Sequence, residues 1–406
     1  MHQTETDFCV VGGGPAGLTA ALLLLRSGAG VTLLERSRTL DREYRGEILQ
    51  PGALALLDQL GVLEGARDRG AYELTRFQLI ERGKPSLDID YRALPGPYNY
   101  LLSLPQRHLL AELLLRCEKY ERFENLAGHR ANGLVIDDGR IRGVVTNADH
   151  TVLAHCVLGA DGRYSKVRRL AGIEEHRQDV FDLDVLWFKI PVGDLPVPHA
   201  RIFRGDGNPV LAYKAFPGNL QLGWTLPHGR YRDIAARGID HVRTAIAAVV
   251  PGYADLVREH LNDLSDLTLL DVFAAEADRW VEDGLMLIGD SAHTHSPLGA
   301  QGINLAIQDA VVAHPILIDS LRRRDFSATL LDRFPRRRGP DIAAVRRTQV
   351  MQSKGMLSSS RFGAFVRPKA MKVMRRTPVF RRITRGIAFG NPSIRVATEL
   401  FHTDQR

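Results

Sequence analysis

The triplet Gly12-x-Gly14-x-x-Gly17 stands between a short apolar run, Phe8–Val11, and a leucine-rich stretch that opens at Leu18. Few chains can accommodate that arrangement outside a strand–loop–helix unit. Gly12 permits the tight turn, Gly14 lets the main chain approach a pyrophosphate, and Gly17 allows the helix to pack closely on the strand. The helix, expected from Leu18 to about Arg26, then offers unpaired N–H groups and a positive dipole end to an anion. Gly28 and Gly30 break it, and a second buried strand follows at Val31–Leu34. Glu35 ends that strand, 18 residues after Gly17, where a carboxylate can hold the ribose hydroxyls of an adenosine. The loop alone does not separate FAD from NAD.

At 406 residues the chain suggests two or three domains. It is 44% hydrophobic and 25% charged, which excludes disordered and fibrous classes. Three scattered cysteines, Cys9, Cys117 and Cys156, give neither a disulfide framework nor a metal pair, and they read as core. No apolar run approaches the ~20 residues of a membrane span. The first residues, Met1–Asp7, carry acids and no basic stretch, so no signal peptide is expected.

The net charge of +7 is unevenly distributed. Residues 320–395 hold 20 Lys/Arg against three acids, so the rest of the chain is mildly acidic. The bases interleave with apolar residues, as in Phe380-Arg-Arg-Ile-Thr-Arg. A solvated helical cap facing the acidic body is the favoured reading. The second is a membrane-surface face, which would suit a lipophilic substrate. Nucleic-acid binding lacks any recognised module.

Further along, the patterns predict a helix opening at Gln50-Pro51 and a long amphipathic helix over 104–119. Two strands should flank the Asp137-Asp138-Gly139 turn, and a strand 155–158 should stop at Gly159-Ala-Asp161-Gly162. Between about 184 and 226, alternating aromatic runs separated by Gly, Asn, Asp and Pro predict a sheet of antiparallel hairpins. Helical pattern returns over 240–262. A buried strand, Leu285–Ile288, leads into Gly289-Asp290 and a loop-to-helix transition over 289–313. The tail, 340–406, is helical in pattern and basic.

In Gly289-Asp290 and the following Pro297-x-Gly299-x-x-Gly302-x-Asn304, the sequence resembles the class A flavoprotein monooxygenases, the family of p-hydroxybenzoate hydroxylase. The resemblance implies that Asp290 binds the ribityl chain of FAD. It also implies that the loop through Pro297, Gly299, Gly302, Ile303 and Asn304 lies against the isoalloxazine ring, with the helix N-terminus near its N1–C2 edge. Asp161-Gly162 is similar to the family's motif beside the FAD pyrophosphate. Arg45 and the pair Gln106-Arg107 match its other cofactor contacts. With Gly12, Gly14, Ala16, Gly17, Glu35 and Arg36 from the first unit, these are the candidate FAD contacts. They occur in family order over residues 5–315.

The implied fold is α/β. A GR2-type Rossmann-like FAD-binding domain (1–75, 101–180 and 268–340) carries an inserted mixed or antiparallel substrate-binding sheet (76–100 and 181–267) and a helical basic C-terminal region (341–406). The implied function is hydroxylation of a hydrophobic aromatic or polycyclic molecule through a flavin C4a-hydroperoxide. Cofactors are FAD and transient NAD(P)H, which has no second Gly-x-Gly-x-x-Gly of its own here. Candidate catalytic residues are Tyr213, Arg45 and Pro297. Candidate pocket residues are Tyr72, Tyr100, Trp187, Phe203, Phe216 and Trp224, each as apt for core as for pocket. The expected setting is cytoplasmic, at most peripheral to the membrane.

Other readings stay open. One is a reductase or halogenase on the same scaffold. Leu186-Trp187-Phe188-Lys189-Ile190-Pro191 is near the halogenases' Trp-x-Trp-x-Ile-Pro, yet both tryptophan positions differ. A non-catalytic FAD-binding, membrane-associated protein is another, and an NAD-dependent dehydrogenase a third. His293-x-His295 could suggest a metal pair. Without nearby ligands a hydrogen-bonding role is favoured, and no metal is expected.

Overall fold

The computed structural model describes residues 2–40, 47–178, 183–193, 195–205, 207–353 and 377–402. Its first sheet places the strands in the order Val281–Glu282, Leu285–Leu287, His150–Gly159, His2–Val11, Val31–Glu35, Phe123–Ala127. The central strand His2–Val11 pairs in parallel with His150–Gly159 on one side and Val31–Glu35 on the other. Leu285–Leu287 is parallel to His150–Gly159. The first strand begins at His2, well before the apolar run, because its polar half pairs with residues 150–154. Strands Ala131–Asp137 and Arg140–Thr146 form an antiparallel extension on His150–Gly159.

A strand buried on both faces reads as a continuous apolar run, and Phe8–Val11 and Val31–Leu34 do so. The helix Pro15–Arg26 is apolar on nearly every side because it lies between this sheet and the helix Gly302–Arg323. Leu22, Leu23 and Leu24 are fully buried. Truncating any of them to Ala costs about 2–5 kcal/mol. Burial also holds the thiols inert, with Cys156 pushed up to about 12.

The second sheet runs Thr268–Leu270, Leu183–Pro191, Asn219–Pro227, Val210–Ala215, His199–Arg204, Arg76–Glu81, Lys84–Asp90. It is mixed: His199–Arg204 lies parallel to Arg76–Glu81. Side chains alternate between its faces. Leu186, Phe188, Ile190, Leu222 and Trp224 face the helices Ile239–Val249 and Ala254–His260. The helical run expected over 240–262 is divided because Pro251 cannot continue an α-helix. Val185, Trp187, Tyr213 and Ala215 point the other way, into a cluster with Ile48, Leu74, Leu101, Val272 and Ala274.

A small sheet, Ile48–Leu49, Leu101–Ser103 and Tyr72–Leu74, stands between the two large ones. Helix Arg333–Gln352 and helix Pro378–Phe389 complete the described chain. The latter sets Ala388 into the Trp187–Tyr213 cluster. Its C-terminal end fits so closely that a Cβ at Gly52 would lie 2.5 Å from the Phe389 carbonyl oxygen.

Candidate cofactor and substrate site

Three adjacent parallel strands end at one edge of the first sheet, and each delivers a motif. His2–Val11 ends at the Gly12–Gly17 loop, His150–Gly159 at Asp161-Gly162, and Leu285–Leu287 at Gly289-Asp290. Main-chain bonds tie the ends together: Ala160 N donates to Val11 O at 2.8 Å and Ile288 N to Gly159 O at 3.0 Å. This is where strand order reverses in an open α/β sheet, the usual position of a ligand crevice.

The glycines divide by role. At Gly12, held at φ +111°, a side chain would collide with the Ala160 main chain. At Gly17 it would collide with the Gly12 carbonyl. A Cβ at Gly14, however, meets nothing within 4 Å. The first two positions need glycine for the fold, whereas Gly14 opens onto space that a pyrophosphate fits. Glu35 accepts from Gly13 N at 2.9 Å and Ser37 N at 2.8 Å, which fixes its carboxylate beside the loop. Ala16 packs against Gly289, joining the first motif to the third. Arg36 is exposed next to Glu35.

Asp161 accepts from Ser165 Oγ and from the amides of Lys166 at 2.6 Å and Val167 at 3.1 Å. It thereby anchors the helix Lys166–Leu170. Ser291 bridges the second and third motifs: its hydroxyl donates to Asp161 and accepts from Gly162 N. Asp290 is half-buried, with Arg163 at 3.7 Å. Burial pushes its carboxyl above the ordinary range, and Arg163 opposes that rise.

The loop Pro297–Asn304 is tied on three sides. Gln50 N donates to Asn304 Oδ1 at 2.9 Å, and Gln50 Nε2 to Gly299 O at 2.8 Å. Gln349 Nε2 reaches Ser296 O and Leu298 O. Gln301 Nε2 donates to Ile387 O at 2.9 Å. Pro297 and Ile303 are half-buried, and Gly302 opens the helix. Gln106 and Arg107 start the helix Gln106–Cys117 at the surface. Arg45 lies outside the described residues.

Behind the loop is a fully buried polar chain. His295 Nε2 meets His293 Nδ1 at 3.2 Å, and His293 Nε2 meets Asp309 Oδ2 at 2.8 Å. Asp309 also takes Arg338 Nε at 2.7 Å. His293 and Arg338 hold the Asp309 carboxyl well below its usual range, while burial pushes His295 down to about 3. Asp184, His228 and Asp271 are grouped closely enough for a metal, yet Asp184 is already taken by His228, Gly229 N and Val272 N.

The aromatic candidates separate. Trp187 and Tyr213 share the face toward the FAD-binding side. Tyr213 is buried and hydrogen-bonded to the Glu47 main chain, and burial pushes its phenol far up, so it does not ionise near neutrality. Tyr72 accepts from Gly218 N and lies beside Phe216, whose ring covers Gly70. Tyr100 packs in the first core with its hydroxyl on Arg67. Phe203 and Trp224 occupy the opposite, helix-covered face, Phe203 edge-on to Tyr253. The expectation that these two line a pocket is corrected by strand alternation, which turns residues 203 and 224 away from 187 and 213.

Sequence reasoning missed Glu47 and Asp309. Glu47 is buried against Lys189 Nζ at 2.8 Å. The available signal was a carboxylate set directly before the apolar pair Ile48-Leu49. Asp309 was visible as an acid within an apolar helix, but its partner Arg338 lies 29 residues away.

The FAD binding domain family matches residues 5–349. The chain is 60% identical over 401 residues to 6-methylpretetramide 4-monooxygenase of Streptomyces rimosus, covering 98% of this chain and 95% of that protein. Among solved structures, a probable FAD-dependent monooxygenase from Pseudomonas aeruginosa superposes with a TM-score of 0.77 at 23% identity, covering 89% of this chain and all of that one. Anhydrotetracycline hydroxylase from Streptomyces rimosus gives 0.75 at 23% identity, covering 95% and 76%. These similarities agree with the three converging motifs: the chain belongs to the FAD binding domain family, as an FAD-dependent aromatic-hydroxylase flavoprotein.

Proposed function

We propose that this monooxygenase hydroxylates a tetracyclic polyphenol of the pretetramide type, using NAD(P)H as the transient reductant. The observation that carries this reading is the 60% identity, which extends over the substrate sheet as well as the cofactor motifs. An aromatic wall led by Trp187 on the FAD-facing side supports a flat, apolar substrate.

Bound FAD supplies electron transfer from NAD(P)H and activation of O2. The protein's part is binding, orientation and dryness. Gly14 admits the pyrophosphate at the N-terminus of helix Pro15–Arg26. Glu35 takes the ribose and Asp290 the ribityl hydroxyls. Asp161 acts one step removed, by fixing the loop that carries Gly162. The Pro297–Asn304 loop, tied by Gln50, Gln301 and Gln349, presents the positive end of helix Gly302–Arg323 to the flavin. The division into an FAD-binding part (1–75, 101–180, 268–340) and a substrate part (76–100, 181–267) belongs to the same reading.

No helix among the described residues is long and apolar enough to cross a membrane. The contact of Ala388 with the substrate wall supports the cap reading of the basic region over a membrane-surface role.

The test is NAD(P)H oxidation by the FAD-loaded protein with and without 6-methylpretetramide. Substrate-stimulated oxidation and a product heavier by one oxygen are expected. Oxidation that yields no oxygenated product would instead favour the reductase reading.

A further inference from the structure

Glu47 is a buried carboxylate beside the loop assigned to the flavin ring, and the cofactor assignment leaves it unused. Its side chain is 4% exposed. Oε1 receives Lys189 Nζ at 2.8 Å, whereas Oε2 is buried with no hydrogen-bond partner. Two other buried polar atoms nearby share that condition. Ser103 Oγ belongs to the residue paired with Ile48, and Trp187 Nε1 lies two residues from Lys189 on the same strand. Folded proteins rarely leave such groups unpaired, because a buried polar atom that has lost its water and gained no partner is destabilising. Their grouping points to a ligand that supplies the missing partners.

The position agrees. Glu47 directly precedes Ile48–Leu49, and three residues later Gln50 binds Gly299 and Asn304 of the loop assigned to the flavin ring. On its other side stand Lys189 and Tyr213 of the substrate sheet. Glu47 therefore sits between the flavin loop and the substrate wall. Lys189, Tyr213 and His108 are the titratable groups that face it among the described residues.

We propose that Glu47 is the catalytic base for the substrate's phenolic hydroxyl, held in place by Lys189. This rests on the polyphenol reading above. Oε2 accepts the hydroxyl as a hydrogen bond when substrate binds. As the ring is hydroxylated, the substrate O–H bond breaks and an Oε2–H bond forms. The electron pair left on oxygen enriches the ring carbons ortho and para to it; one of them bonds to the electrophilic, O2-derived oxygen that the monooxygenase reaction supplies, its C–H bond then breaks, and that proton returns to the phenolic oxygen so that the ring is aromatic again. Lys189 is a positioning residue: its ammonium fixes Oε1 at 2.8 Å and so holds Oε2 in place.

The experiment uses the FAD-loaded protein in two measurements. Perturbation of the flavin spectrum by 6-methylpretetramide without NAD(P)H gives Kd. Hydroxylated product as a function of pH gives the kcat profile. For Glu47→Gln the expectation is a Kd within a few-fold of the parent. Hydroxylation should fall about 10²–10⁴-fold, the usual contribution of a general base, and the acid limb of the profile should disappear. Glu47→Asp should restore part of the rate. Lys189→Met should lower the hydroxylation rate while Kd stays within a few-fold of the parent. This second variant decides the matter if Glu47→Gln fails to retain FAD. A Glu47→Gln protein with the parent's rate and acid limb, or a Lys189→Met protein with the parent's rate, overturns the proposal alone. A parent protein that holds FAD yet neither binds nor hydroxylates the compound overturns the substrate reading, and this assignment with it.

Discussion

The Gly289 amide donates to Asp309 Oδ2 at 2.8 Å, so a carboxylate seven residues into the helix Gly302–Arg323 holds the turn that presents Asp290. The same oxygen meets His293, and the other meets Arg338. Asp309→Asn takes from the buried Arg338 guanidinium its nearest counter-charge, leaving it Asp341 at 3.1 Å. A loss of about 3–5 kcal/mol is expected. Urea unfolding of the apoprotein measures it, and FAD content should fall in parallel.

Asp290→Ala should behave in the opposite sense. Asp290 is half-buried and its ion pair to Arg163 is long at 3.7 Å. Apoprotein stability should change by under about 1 kcal/mol. The flavin should nevertheless be lost on purification. A full complement of FAD in this variant would refute the ribityl assignment.

Gly14→Val separates cofactor from fold within the glycine loop. The new side chain enters open space, so the apoprotein should keep its circular dichroism spectrum and melting temperature. The purified protein should be colourless. Gly17→Ala drives a methyl into the Gly12 carbonyl and should reduce soluble yield instead.

The two tryptophans of the substrate sheet should report different things. Trp187→Phe faces the proposed substrate and should raise KM with little change in melting temperature. Trp224→Phe removes a ring from the helix-covered core. It should lower the melting temperature and leave KM unchanged.

Acid should destabilise the fold from about pH 6.5 downward. Burial holds His295 down to about 3 and His314 down to about 4. Below the ordinary histidine pKa the unfolded chain takes up protons that the folded one refuses. The stabilisation is therefore complete above about pH 6.5 and is lost as pH falls toward these folded values, at up to about 1.4 kcal/mol per pH unit for each histidine. Denaturant midpoints between pH 7.5 and 5 should show this slope. His314→Gln, which can keep a bond to Ser27, should flatten it.

Much of the geometry of the proposed cofactor cradle was legible because its instructions are local. Gly12, Gly14 and Gly17 lie within six residues, and the strand that carries them declares itself by an unbroken apolar run. Asp161 and Asp290 each follow such a run directly. The substrate side was less legible, because alternation tells that two sets of residues face apart and does not tell which set meets the flavin. Trp187 and Trp224 look alike in sequence. Only the register that places Trp187 over Gly223, with helices covering Trp224, distinguishes them. Asp309–Arg338 and Glu47–Lys189 were illegible for a different reason: their partners are 29 and 142 residues apart, so no spacing rule connects them.

Ala388 follows the last strand of the nucleotide sheet by about a hundred residues, and it forms part of the wall shared with Trp187 and Tyr213. Every strand of the nucleotide sheet is complete by Leu287. A growing chain thus has the three strand ends that carry the glycine loop, Asp161 and Asp290 about a hundred residues before its substrate wall is closed. The Pro297–Asn304 loop waits as long, because Gln301 is tied to Ile387, so loss of helix Pro378–Phe389 should act on colour and turnover together.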